Sequence, residues 1–248
     1  MSVIYEPKGR AGEYAPLACN LYMGCTHGCK YCFAPACMRK TADEWMGSAP
    51  PRKDVIKQFE REAKKLAEKG DTRRILFSFL SDPYQPAERK YRLTQQALEI
   101  VGKYKLNCQI LTKGAPDLIM EDLPLIREVG AWLGMTVCFV DDTLRQAWEP
   151  NASLISDRFY ILEEAHNRGI YTWVSLEPVI DPTQALGVIE RAHSFVNYWK
   201  VGKLNHMKEQ EAKVDWRKFH QDVTALLHSV NASFYIKNDL LAVGSRIK

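Results

Sequence analysis

No apolar run among the 248 residues approaches the length of a membrane-spanning helix, which sets an expectation of no membrane association. A secretory leader, charged and then apolar, is missing as well, so a cytoplasmic location is expected. No internal repeat or low-complexity linker divides the chain. Strong charge of one sign is absent: a formal +4 permits an anionic partner and does not demand one. Nor do the cysteines form an even set. There are seven, which speaks against a disulfide framework, and a chain of this length needs no staples. What is present is an ordinary globular composition, 46% hydrophobic and 26% charged, long enough for one large domain spanning residues 1–248.

Three of the seven cysteines lie close together, Cys25, Cys29 and Cys32, in the order Cys-x3-Cys-x2-Cys between Gly24 and Phe33. That spacing offers three thiolates to one centre and no obvious fourth. A [4Fe-4S] cube held by three cysteines leaves one iron open to a small molecule. A structural zinc needs four ligands, usually as two separated pairs, and the neighbours Cys19, His27 and Cys37 stand at no standard knuckle spacing. Zinc therefore remains a minor alternative. Cys108 and Cys138, in distant apolar runs, read first as buried small hydrophobes.

With Tyr31 directly before its last cysteine, the motif resembles the hallmark of the radical S-adenosylmethionine (SAM) superfamily. The resemblance implies a cluster on Cys25, Cys29 and Cys32 whose open iron chelates SAM. It also implies a one-electron donor of the flavodoxin or ferredoxin kind, and reductive cleavage of SAM to methionine and a 5'-deoxyadenosyl radical that abstracts hydrogen from a substrate. Tyr31 would lie near the adenine; plain packing around the cluster suits the same position.

Along the chain, short runs rich in β-branched and aromatic residues alternate with amphipathic stretches, the pattern of an α/β protein. Strands are expected at Leu17 to Met23, Ile75 to Leu80, Cys108 to Thr112, Leu133 to Phe139, Tyr171 to Leu176 and Phe195 to Val201. From Asp54 to Lys69, Ile56, Phe59, Ala63 and Leu66 fall on one helical stripe, and Leu154 to Arg168 behaves similarly. The basic residues of that first stretch and its flanks alternate with acids, as on a solvated helix face. Right-handed crossovers curl six such units into a partial (β/α)6 barrel with its working face at the strand C-termini. A last helix from Asp215 and a short run to Lys237 are expected to close it.

Polar groups come after several strands, at this mouth. After the second stands Ser81-Asp82-Pro83-Tyr84-Gln85-Pro86, where Asp82 could simply cap the start of a helix; after the third stands Lys113, beside Gly114. Together with the cysteine motif, these segments resemble the spore photoproduct lyase-like branch of the superfamily. That resemblance implies that Ser81 and Asp82 contact SAM, that Lys113 meets its carboxylate, and that Thr136 touches ribose or amino acid. Trp148-Glu149-Pro150 with Arg158 resembles a further pattern of the branch, and an internal ion pair explains it equally well. Glu177 closes the fifth strand, as a contact to adenosine or substrate or as a cap or ion-pair partner. Lys203, Asn205 and His206, after the sixth strand, are the candidates for substrate contact. The branch implies a nucleic-acid base or nucleotide as substrate, with a peptide or small metabolite open. The rival from another class is a zinc- or cluster-bearing binding module without turnover, using Cys19 or Cys37 as fourth ligand.

One departure from the branch stands out. Spore photoproduct lyase keeps a hydrogen-donating cysteine near the end of its second strand, whereas Ile75 to Leu80 contains none. Substitute donors would be Cys138, Cys37 or a mouth tyrosine such as Tyr84. The expected outcome is little or no thymidine release when reduced protein and SAM meet a spore-photoproduct dinucleotide. Efficient multiple-turnover repair, read by chromatography of the products, would overturn this.

Overall fold

Strands that are apolar on both faces suit a parallel sheet sandwiched between helices and an inner filling. A computed structural model, describing residues 2–244, has this arrangement. Eight strands form one sheet in sequence order: β1 (Ile4–Tyr5), β2 (Leu17–Cys19), β3 (Ile75–Phe77), β4 (Cys108–Thr112), β5 (Trp132–Thr136), β6 (Thr172–Val179), β7 (Tyr198–Lys203) and β8 (Ser233–Ile236). β1 is antiparallel to β2, and every later pairing is parallel. The crossovers carry the helices Val55–Glu68, Leu93–Lys103, Pro116–Glu128, Ile155–Asn167, Pro182–Ala192 and Trp216–Ser229. These six strand-helix units are the expected (β/α)6 succession, with β1 and β8 added at its edges. The outermost positions of the expected 1–248 unit, residues 1 and 245–248, lie outside the described residues.

Two expected strands end early for a shared reason. Asn20 leaves β2 and its side-chain oxygen accepts from the amides of Phe79 (2.9 Å) and Leu80 (2.7 Å), while Ser78 takes a φ of 96°. The backbone past Phe77 is therefore tied to a side chain instead of a neighbouring strand, and the backbone past Cys19 turns to residues 50–52, with Arg52 N–H on Leu21 O (3.0 Å) and Met23 N–H on Pro50 O (2.9 Å). The Val55–Glu68 helix buries Phe59 and Ala63 fully and leaves Lys57, Arg61, Lys64 and Lys65 exposed, as its stripe predicts.

The helix Trp216–Ser229 and β8 extend the sheet at its edge and do not close it onto β1. The gap is bridged by the segment before β2. Glu13 accepts from the Tyr235 hydroxyl (3.0 Å) and the Asn238 amide (2.8 Å), and the Lys200 ammonium donates to the carbonyls of Glu13 (2.8 Å) and Tyr14 (2.6 Å).

Two apolar clusters result. The larger lies between sheet and helices; a smaller one, Tyr14, Ala15, Ala18, Leu76 and Trp173, fills the lower lumen. Trp173 fits there because Gly134 faces it from β5: a Cβ at that position would stand 2.1 Å from the indole ring. Gly134→Ala is therefore expected to destabilise the fold by about 1–3 kcal/mol through overpacking, read as a lower urea midpoint. An unchanged midpoint would mean the lumen filling yields freely.

Candidate active site

The cysteine loop has little regular structure of its own between β2 and the short helix Ala34–Met38, so its shape is imposed from outside. On one side stands the turn after β3. Gln85, fully buried, donates from its amide nitrogen to Gly24 O (3.0 Å) and accepts from Thr26 N–H (3.2 Å). Glu88 accepts from the hydroxyl of Tyr22, just ahead of the loop, and from the Thr94 amide (2.7 Å). On the other side stands the segment after the helix Asp142–Trp148. The Asn151 backbone amide donates to His27 O (3.1 Å), its side chain donates to Thr26 O (3.1 Å), and Lys30 N–H reaches Trp148 O (2.9 Å). Gly24 passes so close to a neighbouring loop that a Cβ would meet Ser48 O at 1.9 Å.

Held this way, Cys25, Cys29 and Cys32 line one cavity of about 510 Å³ at the C-terminal mouth of the sheet. Tyr31, Ser81, Asp82, Lys113 and Thr136 share the wall with them. Ser175, Glu177, Lys203, Asn205, His206 and Lys237 form the opposite part, with Lys8, Arg10 and Tyr14 from the bridging segment.

Burial pushes the Cys25 and Cys29 thiols up to about 12 and raises Cys32 as well. Left to themselves these thiols hold their protons, so thiolates form here when a metal centre replaces the protons with its own charge. Among the described residues no three His, Cys, Asp or Glu side chains gather about a single point as one ion requires. A cube presents a separate iron to each thiolate, so three thiols lining one cavity fit such a cluster. His27 lies inside the loop with both ring nitrogens unpaired and its nearest carboxylate, Asp82, at 3.8 Å; burial lowers its pKa.

Behind Tyr31 is a buried ion pair. Its hydroxyl donates to Glu149, which meets Arg158 at 2.6 Å with both side chains fully buried. Burial alone would raise Glu149, but Arg158, then Lys113 and Tyr31, hold the carboxyl below its ordinary value. Burial would likewise lower Lys113, yet Cys29 and Glu149 keep its pKa above the usual lysine value. On the opposite wall Glu177 binds the Lys237 ammonium through both oxygens (2.8 and 2.7 Å) and accepts from Tyr14; burial still keeps its carboxyl above the normal value.

Most residues singled out from sequence thus face one cavity, with two corrections. Tyr84 is fully buried and donates to Asp122 (3.0 Å), because the turn directs its ring into the helix layer. Cys138 is fully buried and absent from the cavity wall, since the chain past β5 points it into the larger core. Neither is placed to return hydrogen at the mouth, whereas Cys37 is exposed and lines it. Asp82 is on the wall, but its oxygens already accept from Tyr84 N–H (2.9 Å), the Thr112 hydroxyl (2.6 Å) and Lys113 N–H (2.7 Å). Lys203 pairs with Glu211 (3.1 Å), and Asn205 donates to Asp239 (2.7 Å). Sequence patterns single out none of Gln85, Asn151, Tyr14 and Lys237. Only Gln85 carries a signal, its place in the turn motif.

A sheet of parallel strands with three cysteines in the loop after β2 defines a class, and the radical SAM superfamily model matches residues 19–196. The chain belongs to that superfamily. Among relatives, an uncharacterised protein of Methanocaldococcus jannaschii is 27% identical over 197 residues, 78% of this chain and 72% of that protein. An uncharacterised protein of Mycobacterium bovis is 25% identical, over 65% of this chain and 48% of its own. A tyrosine-to-phenylalanine variant of spore photoproduct lyase superposes with a TM-score of 0.72 at 13% identity, over 94% of this chain and 79% of the lyase. Streptococcus suis SuiB bound to S-adenosylmethionine gives 0.65 at 12%, over 92% of this chain and 51% of SuiB. At such identities the likeness is one of fold. The chain spans about half the length of SuiB and of the mycobacterial relative.

The brace at Glu88 has a pH signature. Burial raises its carboxyl from 4.5 to about 7, against the opposing bonds from Tyr22 and Thr94. The folded chain therefore holds a proton the unfolded chain releases. The stabilisation is full below pH 4.5 and is lost as pH rises through 7. Glu88→Gln keeps an oxygen for the Thr94 amide and an N–H that can donate to the Tyr22 hydroxyl, as the protonated carboxyl does, so relative to it the wild type should lose at most about 1.4 kcal/mol per pH unit across that window. Parallel urea curves for the two proteins at every pH would refute this.

Proposed function

We propose that this chain is an enzyme that binds a [4Fe-4S] cluster through Cys25, Cys29 and Cys32 and uses it on SAM. The observation that carries the reading is three thiols on one wall of a cavity they share with Ser81, Lys113 and Thr136. A cluster bound there supplies one electron, taken from a flavodoxin- or ferredoxin-like donor, to split SAM into methionine and a 5'-deoxyadenosyl radical. The chain's own residues bind and orient. Lys113 faces the cavity with no carboxylate within 4 Å among the described residues, ready for the carboxylate of SAM. Tyr31 is held by Glu149 with the Lys113 ammonium 5.7 Å from its ring centre, giving the adenine a fixed aromatic neighbour.

The substrate we assign is a nucleic-acid base or nucleotide. Besides the resemblance of the motifs, the wall away from the cysteines supports it: Lys8, Arg10 and Lys203 supply positive charge, His206 an imidazole, and Phe33 and Phe79 rings. Glu177 and Asn205 add acceptor and donor groups for base or sugar. No helix among the described residues is long and apolar enough to cross a membrane. A reducing cytoplasm is the setting that suits free thiols and a cluster.

Anaerobic reconstitution should give about four irons per chain with matching sulfide. Alanine at Cys25, Cys29 or Cys32 should abolish the cluster, and at Cys19 or Cys37 should leave it. The reduced protein should release 5'-deoxyadenosine from SAM, and Lys113→Ala should weaken SAM binding by roughly 1.5–3 kcal/mol in calorimetry. Stoichiometric zinc without sulfide would overturn the assignment.

A further inference from the structure

Gln85 is fully buried, yet packing alone would be served by a leucine. Its amide instead makes two bonds to the backbone on either side of one residue, Cys25: to the carbonyl of Gly24 (3.0 Å) and from the amide of Thr26 (3.2 Å). A paired strand would hold a residue in this way; among the described residues no strand takes up Gly24 O and Thr26 N–H, and Gln85 does so instead. The Cys25 amide donates to Trp45 O (3.1 Å) and Asn151 reaches Thr26 O and His27 O (both 3.1 Å), while the Cys29 side is held by Lys30 N–H on Trp148 O (2.9 Å). Gln85 also belongs to the turn that brings Ser81 and Asp82 to the cavity wall.

We propose that Gln85 is a positioning residue for Cys25, joining the first thiol of the cluster to the turn that faces SAM. This rests on the cluster reading above. Removing the amide leaves a buried carbonyl and a buried N–H without partners, which is unfavourable enough to release the loop locally. The effect falls first on Cys25, because Gln85 bonds its two neighbours, whereas the bond nearest Cys29, Lys30 N–H to Trp148 O, does not involve Gln85.

The test uses the full-length chain as wild type, Gln85→Leu and Gln85→Glu. Gln85→Glu preserves shape and the acceptor for Thr26, but it sets an oxygen against Gly24 O. In apo-protein, iodoacetamide labelling read by mass spectrometry gives the rate at Cys25 relative to Cys29. In loaded protein, bathophenanthroline gives the rate of iron loss. Both variants should raise the Cys25 to Cys29 ratio roughly tenfold and speed iron loss by a similar factor. The thermal midpoint of each apo-protein is read alongside, so that a local release at Cys25 is told from a general loss of stability. An unchanged ratio, or equal acceleration at every cysteine with a lowered midpoint, overturns the proposal and leaves Gln85 a packing residue. A wild type that takes up no iron overturns the cluster reading, while the labelling ratio still decides whether Gln85 braces Cys25.

Discussion

Three thiols must be presented together by a loop that has little internal hydrogen bonding to hold it. Cys32 N–H to Cys29 O, at 3.1 Å, is the one bond the loop makes between its own cysteines among the described residues. The rest of its order comes from outside: Gln85 and Glu88 on one flank, Trp148 to Asn151 on another, and Trp45 O, which accepts the Cys25 amide, on a third. Because buried backbone groups must find partners, this bracket decides where the sheet can end and which residues the turns may carry. The polar turns around the mouth are therefore scaffolding first. What remains of their surface faces the cavity.

This division explains the buried ion pair as well. Glu149 and Arg158 are both fully enclosed, a placement that rarely improves stability over apolar packing. Here the pair has a job on each side: Arg158 also donates to Thr136 O (2.9 Å) and Ser153 O (2.9 Å), and Glu149 receives Tyr31. It joins β5, the following helix and the last turn of the cysteine loop into one polar unit.

Much of this was legible in the sequence, for unequal reasons. The alternation of apolar runs with amphipathic stretches carried the helices and the parallel order, since burial on two faces leaves a plain periodic mark. The cysteine spacing carried the metal-binding candidates, because ligand chemistry restricts residue type and distance at once. Strand ends were less legible: nothing local to β2 or β3 announces that Asn20 will take the amides of Phe79 and Leu80. Cys138 and Tyr84 sit beside the right elements and point into packed interior, a choice made by strand alternation and by Asp122, distant in sequence. The bond partners of Gln85, and the roles of Tyr14 and Lys237, depend on long-range contacts that no window of sequence contains.

The bridging segment also sets an order of assembly. Glu13 meets Tyr235 and Asn238 across separations of 222 and 225 residues, near the greatest the fold allows. Contacts of that span form late, since closing so large a loop yields no reward until everything between is in place. On a ribosome the cysteine loop emerges long before β8, so a nascent chain carries its thiols in an open trough. The wall formed by Lys8, Arg10 and Tyr14 comes into register only when the last strand has been made.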